Sequence, residues 1–332
     1  MRELHETNRR EGRRAQARGR RVRRLGLSLV VFIATIAPLA GAAHAVNFSG
    51  WGPAEKIDEI AGNNSELNTP SLDGCPILSP NGLRLYMASN RPGSQGLDIW
   101  VAHRASTDAP FGPPKNLGAP VNSAADDFCP TPVRGGGLYF VSRRAIPESC
   151  GLGDIYFTRF SRKHGWRPPV HLGCAPQGPN SALDEQGPSY VETEAGAQLY
   201  FSRSSAVVPG DILVSARLGD GTFGAATPVG ELNDAAANDI QPNVRTDGRE
   251  LVLSSNRSGS QGQDVWVSTR ASVFDAWSTP ANVGGNVNTA AAETRPSLSW
   301  DARTLLFGRA PGPEGMSDIY SATRTTLPGS GG

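Results

Sequence analysis

Five carboxylates recur at one place in an internal period of the chain: Asp73, Asp127, Glu185, Asp239 and Glu293, each three residues before a proline (Pro76, Pro130, Pro188, Pro242, Pro296). Acids gathered by a repeated fold offer two kinds of chemistry. Converging carboxylate oxygens suit a hard cation such as Ca2+, or a basic ligand. Two carboxyl groups about 5–10 Å apart across a cleft can also cleave a glycosidic bond, one giving a proton while the other activates water or attacks the sugar. Asp126 and Asp184 add charge beside the same positions. The competing reading is that each acid accepts hydrogen bonds from loop amides or pairs with an arginine of its own repeat, as buried charges do. Repetition in every unit favours that reading, because a site needs to be made only once.

A second set of acids opens a strand near the end of each unit: Asp98, Asp154, Asp211, Asp264 and Asp318, each followed by Ile or Val. Upstream of each lies an arginine, Arg91, Arg144, Arg203, Arg257 or Arg309. A planar guanidinium fork can satisfy two carboxylates, so the arginines are expected to tie the loop acid to the strand Asp within a unit. Other catalytic material is scarce. Beyond residue 45 the histidines are His103, His164 and His171, with no H-x-H or H-E-x-x-H pair. No G-x-S-x-G elbow and no Ser-x-Asp-x-Gly-x-x-Trp box occurs.

The elements that position these residues follow from the period. Successive strand-opening Asp residues are 56, 57, 53 and 54 positions apart. Each unit has an aromatic residue near its start (Trp51, Phe111, Trp166, Phe223, Trp277) and then an Asn (Asn68, Asn122, Asn180, Asn233, Asn288). The loop acid and proline follow, then an apolar strand such as Leu85-Tyr86-Met87. Gly (39) and Pro (26) are abundant and charged residues make up only 19%, so the chain turns often and still has material for a core. Each unit reads as four short strands separated by turn residues. A lone four-stranded sheet leaves an apolar face wet, and radial packing of five covers those faces. The expected fold is all-β, a five-bladed β-propeller of four-stranded blades over residues 46–326. Its ring is closed by an N-terminal outer strand from Trp51–Ile60 joining the C-terminal blade. The recurring aromatics Trp100, Tyr156, Trp266 and Tyr320 fit packing between blades.

Residues 1–45 read differently. They hold ten Arg and three Glu, then an apolar run from Leu25 to Leu39 and the small-residue end Ala43-His44-Ala45. That order describes a secretory signal peptide cleaved near Ala45, which places the mature chain in the periplasm or outside the cell. An uncleaved anchor competes, since the run nearly reaches the ~20 residues of a span; no later segment is apolar enough. The rest of the chain holds 22 basic and 28 acidic residues, a net charge of −6. An acidic body has no general attraction for phosphate backbones, so nucleic acid is excluded as a partner. Residues 327–332 read as a flexible tail.

An exported chain with four Cys is a disulfide candidate. Cys75 and Cys129 directly precede repeat prolines and so enter neighbouring inner strands. Cys150 and Cys174 lie in two adjacent loops of the second unit. The pairing Cys150–Cys174 with Cys75–Cys129 is favoured on that ground, with free buried thiols the alternative for Cys75 and Cys129. A four-Cys zinc site lacks any C-x-x-C spacing.

The run Ser89-Asn90-Arg91-Pro92-Gly93 … Asp98-Ile99-Trp100, its echo Ser255-Asn256-Arg257-Ser258-Gly259 … Asp264-Val265-Trp266, and Ser79-Pro80-Asn81-Gly82 resemble the WD40-like repeat of TolB-type β-propellers. The resemblance covers roughly residues 51–324. It departs from TolB in showing five units, not six, and in leaving no room for a preceding α/β domain. It implies an exported bacterial protein whose propeller serves as a binding platform. The leading expectation is therefore a monomeric, non-catalytic module that binds a protein or glycan of the cell envelope and needs no cofactor, with Ca2+ as a candidate occupant of the acidic ring. The alternative is a carboxylate-dependent glycoside hydrolase or lyase on the same scaffold.

Overall fold

The computed structural model describes residues 48–328; the expected signal peptide at 1–45 and the tail residues 329–332 lie outside the described residues. Five antiparallel sheets form a five-bladed β-propeller. The first blade runs Asp73–Leu78, Arg84–Ser89, Asp98–His103 and Lys115–Asn116 from the axis outward. The second uses Asp127–Val133, Gly137–Ser142, Asp154–Ser161 and Val170–His171, with an extra pairing by Gly165–Trp166. The third comprises Asp184–Thr193, Gly196–Ser204, Asp211–Ala216 and Thr227–Pro228, and the fourth Ile240–Val244, Glu250–Ser255, Asp264–Thr269 and Ala281–Asn282. In the fifth, Ala292–Leu298, Thr304–Ala310 and Asp318–Thr323 come from the C-terminal end of the chain, and the outer strand is Glu55–Lys56 from the beginning.

The closure is thus as expected: Glu55 pairs with Ser321 and Lys56 with Tyr320. It continues past the strand, where Ser49 N–H donates to the Thr325 carbonyl at 2.9 Å and Phe48 bridges to Thr326. Lys56 is buried beside Asp58 (3.4 Å) and pairs with Glu314. No helix among the described residues is long and apolar enough to cross a membrane.

The core is distributed between blades. One cluster joins Tyr200 and Ile212 of the third blade to Leu253 and Trp266 of the fourth. Another joins Val252 and Val265 to Phe307, Tyr320 and the N-terminal Trp51. Three more occupy the remaining seams. Each blade therefore keeps its apolar faces dry only through its neighbours, which makes the recurring aromatics structural.

Every inner strand carries the same irregularity. The pairing register slips between Gly74 and Ile77, and at the matching place in the other four blades. The residue before each repeat proline has a positive φ: Cys75 48°, Cys129 48°, Gly187 58°, Gln241 54° and Arg295 58°. Proline has no N–H for the ladder, so the strand must bulge around it. Gly187 is required twice over, because a Cβ there would sit 2.7 Å from Gln241 Cα.

In four of the five blades the residue after the repeat proline ties its blade to the next around the axis. Thr131 Oγ1 donates to the Pro188 carbonyl, and Ser297 Oγ to the Pro76 carbonyl at 2.6 Å. Ser189 Oγ accepts from Val244 N–H and Asn243 Oδ1 from Leu298 N–H, both at 2.9 Å. In the first blade the matching residue is Ile77, which offers no such group. At that junction stands the Cys75–Cys129 disulfide, with Cα atoms 4.8 Å apart. Cys150–Cys174 is the other disulfide, so the expected connectivity is the one found. Replacing Cys75 and Cys129 by Ser is expected to cost about 2–4 kcal/mol. Ile77→Thr should then be less costly in that background than in the wild type, since a hydroxyl supplies the missing tie; thermal melts of the double-mutant cycle read the coupling.

Candidate functional site

The five loop acids are all buried at the entry of the inner strands, and each has its own arginine. Asp127 accepts from Ser123 Oγ at 2.8 Å and from Arg144 Nη2 at 2.7 Å. Asp73 is held in the same way by Thr69 and Arg91, and Asp239 by Asp234 N–H and Arg257. Glu185 and Glu293 accept from Arg203 Nε (2.7 Å) and Arg309 Nε (2.8 Å). Acid length and arginine position vary together. Glu185 and Glu293 sit directly opposite Arg203 and Arg309 on the ladder, whereas Asp73 and Asp127 face Ser89 and Ser142, and their arginines lie two residues further on. There Arg91 Nε and Arg144 Nε donate to that serine at 2.9 and 2.7 Å.

The arginines do not reach the strand-opening Asp residues, contrary to the expected fork. Asp98 accepts from Asn116 Nδ2 at 2.7 Å and Asp264 from Asn282 Nδ2 at 2.9 Å, while Asp154 lies 3.2 Å from His171 Nε2. Asp318 accepts only a long bond from Glu314 N–H (3.4 Å), and burial, then Asp239, pushes Asp211 up from the usual carboxylate range. Four of the five guanidinium groups turn instead toward the aromatics of the third strands, Arg309 4.1 Å from the Tyr320 ring centre and Arg144 5.1 Å from that of Tyr156, while Arg203 faces Phe201 of the second strand.

The recurring Asn residues have a role that the sequence reading did not assign. Each bridges the third strand of the preceding blade through both amide atoms. Ile99 N–H donates to Asn122 Oδ1 (2.9 Å) while Asn122 Nδ2 donates to the Ile99 carbonyl (3.0 Å). Asn180, Asn233 and Asn288 do the same for Ile155, Ile212 and Val265, and Asn68 does it for Ile319 across the closure.

Among the ring acids Glu185 is distinct. Burial pushes its carboxyl up, and the bonds from Ser181 and Arg203 offset only part of that. A folded-state value above the unfolded one makes its contribution favourable below the ordinary 4.5 and lost as pH rises through the raised value. Glu185→Gln is therefore expected to flatten the fall in melting temperature that this carboxyl contributes as pH rises from the ordinary 4.5 through the raised value; an unchanged slope in the variant over that window would refute it.

At the entry end of the axis two further acids share one arginine, and a second arginine is left without such a pairing among the described residues. Arg143 lies 3.2 Å from Asp126 and 3.1 Å from Asp184. Arg295 projects beside Gly74, its Nε without a hydrogen-bond partner, and burial together with Arg143 pushes it down to about 10. The channel between the bulges encloses only ≈ 30 Å³.

The opposite end is open. A cavity of ≈ 1060 Å³ lies where the inner strands finish and extends into the seam between the second and third blades. Three carboxylates line it from three blades: Glu192, Asp247 and Asp301. Burial raises Asp247, but hydrogen bonds from Arg245 and Arg249 N–H outweigh it and hold the carboxyl low. Asp301 is likewise held low, by Ser299 and Arg303 against burial. Glu192 is exposed, and among the described residues its carboxylate receives a long bond from the Tyr190 hydroxyl (3.4 Å). Aromatic surface comes from Tyr190 and Trp300, with Tyr139 and Phe157 behind. Tyr139 and Tyr190 stack with ring centres 5.2 Å apart. Such a cavity can hold a sugar ring against aromatic faces and bring carboxyl groups to it from three blades. None of its acids belongs to the repeated sets. The available signal was departure from the period: Trp300 is the one aromatic in the turns that follow the inner strands.

No family model matches the sequence, and no curated protein is similar to it. Solved structures share the fold. A thermostable family-43 glycoside hydrolase is 13% identical, with 77% of this chain and 90% of that one covered at a TM-score of 0.53. An alpha-L-arabinofuranosidase from Lactobacillus brevis is 11% identical, covering 79% and 93%, at 0.50. A putative TolB from Agrobacterium tumefaciens is 13% identical over 85% and 99%, at 0.45, too loose to carry an argument. At these identities the likeness establishes the propeller alone. It nevertheless corrects the leading expectation of a non-catalytic binder. That expectation rested on kinship with TolB-type platforms, whereas many of the propellers that resemble this chain are glycoside hydrolases.

Proposed function

We propose that this chain is a carboxylate-dependent glycoside hydrolase that works in the cavity at the strand-end face of the propeller. The observation that carries the reading is the set of three carboxylates delivered to one aromatic-walled cavity by three different blades. Asp247 and Asp301 are held ionised and so serve as base or nucleophile. Glu192, with no cationic partner within ion-pair distance among the described residues, is the proton donor. This division of labour is the one glycosidic cleavage needs. The ring acids take no part, because they are fully buried at the other end of the inner strands and none of them lines this cavity. With the signal peptide expected at 1–45, the substrate is a glycan met outside the cytoplasm.

Incubating the purified domain with arabinan, xylan and acidic polysaccharides, and measuring reducing ends, tests the reading. Sugar release is expected, and Glu192→Gln is expected to lower it by about 10²–10⁴-fold without moving the melting temperature. A folded protein that releases nothing from any of them, or a Glu192→Gln variant with full activity, would overturn it.

A further inference from the structure

The cavity carries more positive charge than its acids neutralise. Arg134, Arg159, Arg217 and Arg245 all line it. Arg245 is engaged, 2.6 Å from Asp247 and 2.8 Å from Glu250. The cavity's Asp301 is likewise taken, by Arg303 at 2.8 Å. No carboxylate among the described residues lies within ion-pair distance of the other three guanidinium groups. Arg134 lies 4.6 Å from the Trp300 ring centre, and Arg217 Nε donates a long bond to the Gly221 carbonyl (3.3 Å) while its guanidinium also faces the Tyr190 hydroxyl.

Arg159 and Arg217 converge on one spot. Both line the cavity together with Tyr139 and Tyr190, and both act on the buried Tyr139 hydroxyl against the upward push of burial, Tyr190 and Glu192; Tyr139 stacks on Tyr190. Two unpaired guanidinium groups thus flank a tyrosine pair at the seam between the second and third blades. Beyond residue 45 the chain is net acidic, so a cavity in which four arginines face three carboxylates is a local exception. A neutral sugar would use the aromatic faces and leave the guanidinium forks idle. A carboxylate or sulfate ester matches the planar fork with two parallel hydrogen bonds.

We propose that the cavity takes an acidic glycan, with Arg159 and Arg217 gripping the anionic substituent while Tyr190 and Trp300 pack the sugar ring. This rests on the hydrolase reading for the use of the cavity, and it names the substrate class. The clustered charge also draws the anionic chain in, an effect that salt weakens.

Calorimetric titration tests it with three ligands of equal length: an oligogalacturonate, a sulfated oligosaccharide and a neutral xylo-oligosaccharide. At low salt the full domain is expected to bind one or both acidic ligands at least about tenfold more tightly than the neutral one, with the preference shrinking as salt is raised. Arg159→Gln/Arg217→Gln, folded by circular dichroism, should lose the preference and keep its affinity for the neutral ligand. Equal affinity for all three ligands, or a preference that survives the double substitution, would overturn the proposal. Reducing-end release, measured in parallel, reads the hydrolase assignment separately. Acidic preference without release sinks only the catalysis, and release from the neutral ligand without acidic preference sinks only the substrate class.

Discussion

Deleting residues 48–60 is expected to unfold the entire propeller and not merely to trim its edge. The segment supplies the outer strand Glu55–Lys56 and the side chain of Trp51, which is buried among Val287, Leu298, Phe307 and Tyr320. It also completes a layered contact at the fourth and fifth blades. Arg324 lies 3.9 Å from the Phe48 ring centre and 4.3 Å from that of Trp51, while its two terminal nitrogens each donate to Glu250 at 2.7 Å. Loss of a buried Trp alone costs about 3–5 kcal/mol. A typical domain has about 5–15 kcal/mol in total. Because every apolar seam lies between blades, opening one wets a face on each side of it. The expected reading is loss of the near-ultraviolet signal and of the cooperative melt; a truncated protein melting at the wild-type temperature would count against a closed ring.

Arg144→Met is expected to be the most damaging conservative-volume change in the second blade. It strands Asp127, fully buried, with only the Ser123 donors, and removes the bond to the Val121 carbonyl. Removing one member of a buried ion pair costs about 3–5 kcal/mol, because the other charge stays dry and uncompensated. Adding Asp127→Leu should recover much of the loss, since a pair replaced by apolar groups is often near neutral. Chemical denaturation of the single and double variants measures both. A single variant within about 0.5 kcal/mol of wild type, the range of ordinary surface changes, would mean that the pair is not what holds the loop.

The propeller was legible because its period is written in residues that the backbone needs. The proline that forces the axial bulge, the Asn that bridges to the preceding blade and the acid–arginine pair each recur because every blade has the same problem to solve. The acids were visible for the same reason, and their fate could have been read from one more regularity: where the acid is Glu, the arginine stands directly opposite it; where the opposite residue is Ser, the acid is Asp. The disulfides were legible from the order of strands on one face. The cavity was not, because Glu192, Arg159 and Trp300 lie off the repeated positions, and a search for periodicity averages such residues away, while Arg217 shares its place with Arg104, Arg270 and Arg324 and so gives no sign of a separate use. Nor does spacing show that the seam between the second and third blades widens, since that depends on how the Tyr139, Phe157, Tyr190 and Phe223 rings fill it.

The meeting of Ser49 with Thr325 has a topological consequence. Once the two ends lie side by side, the ring no longer cares where the polypeptide is cut. A circular permutant that joins residue 48 to residue 326 through a short Gly/Ser linker and opens the exposed turn at Val207 should fold to the same wheel. In it, the seam between the fifth blade and its outer strand would become an ordinary covalent connection, and the point where thermal opening starts would move to the third blade.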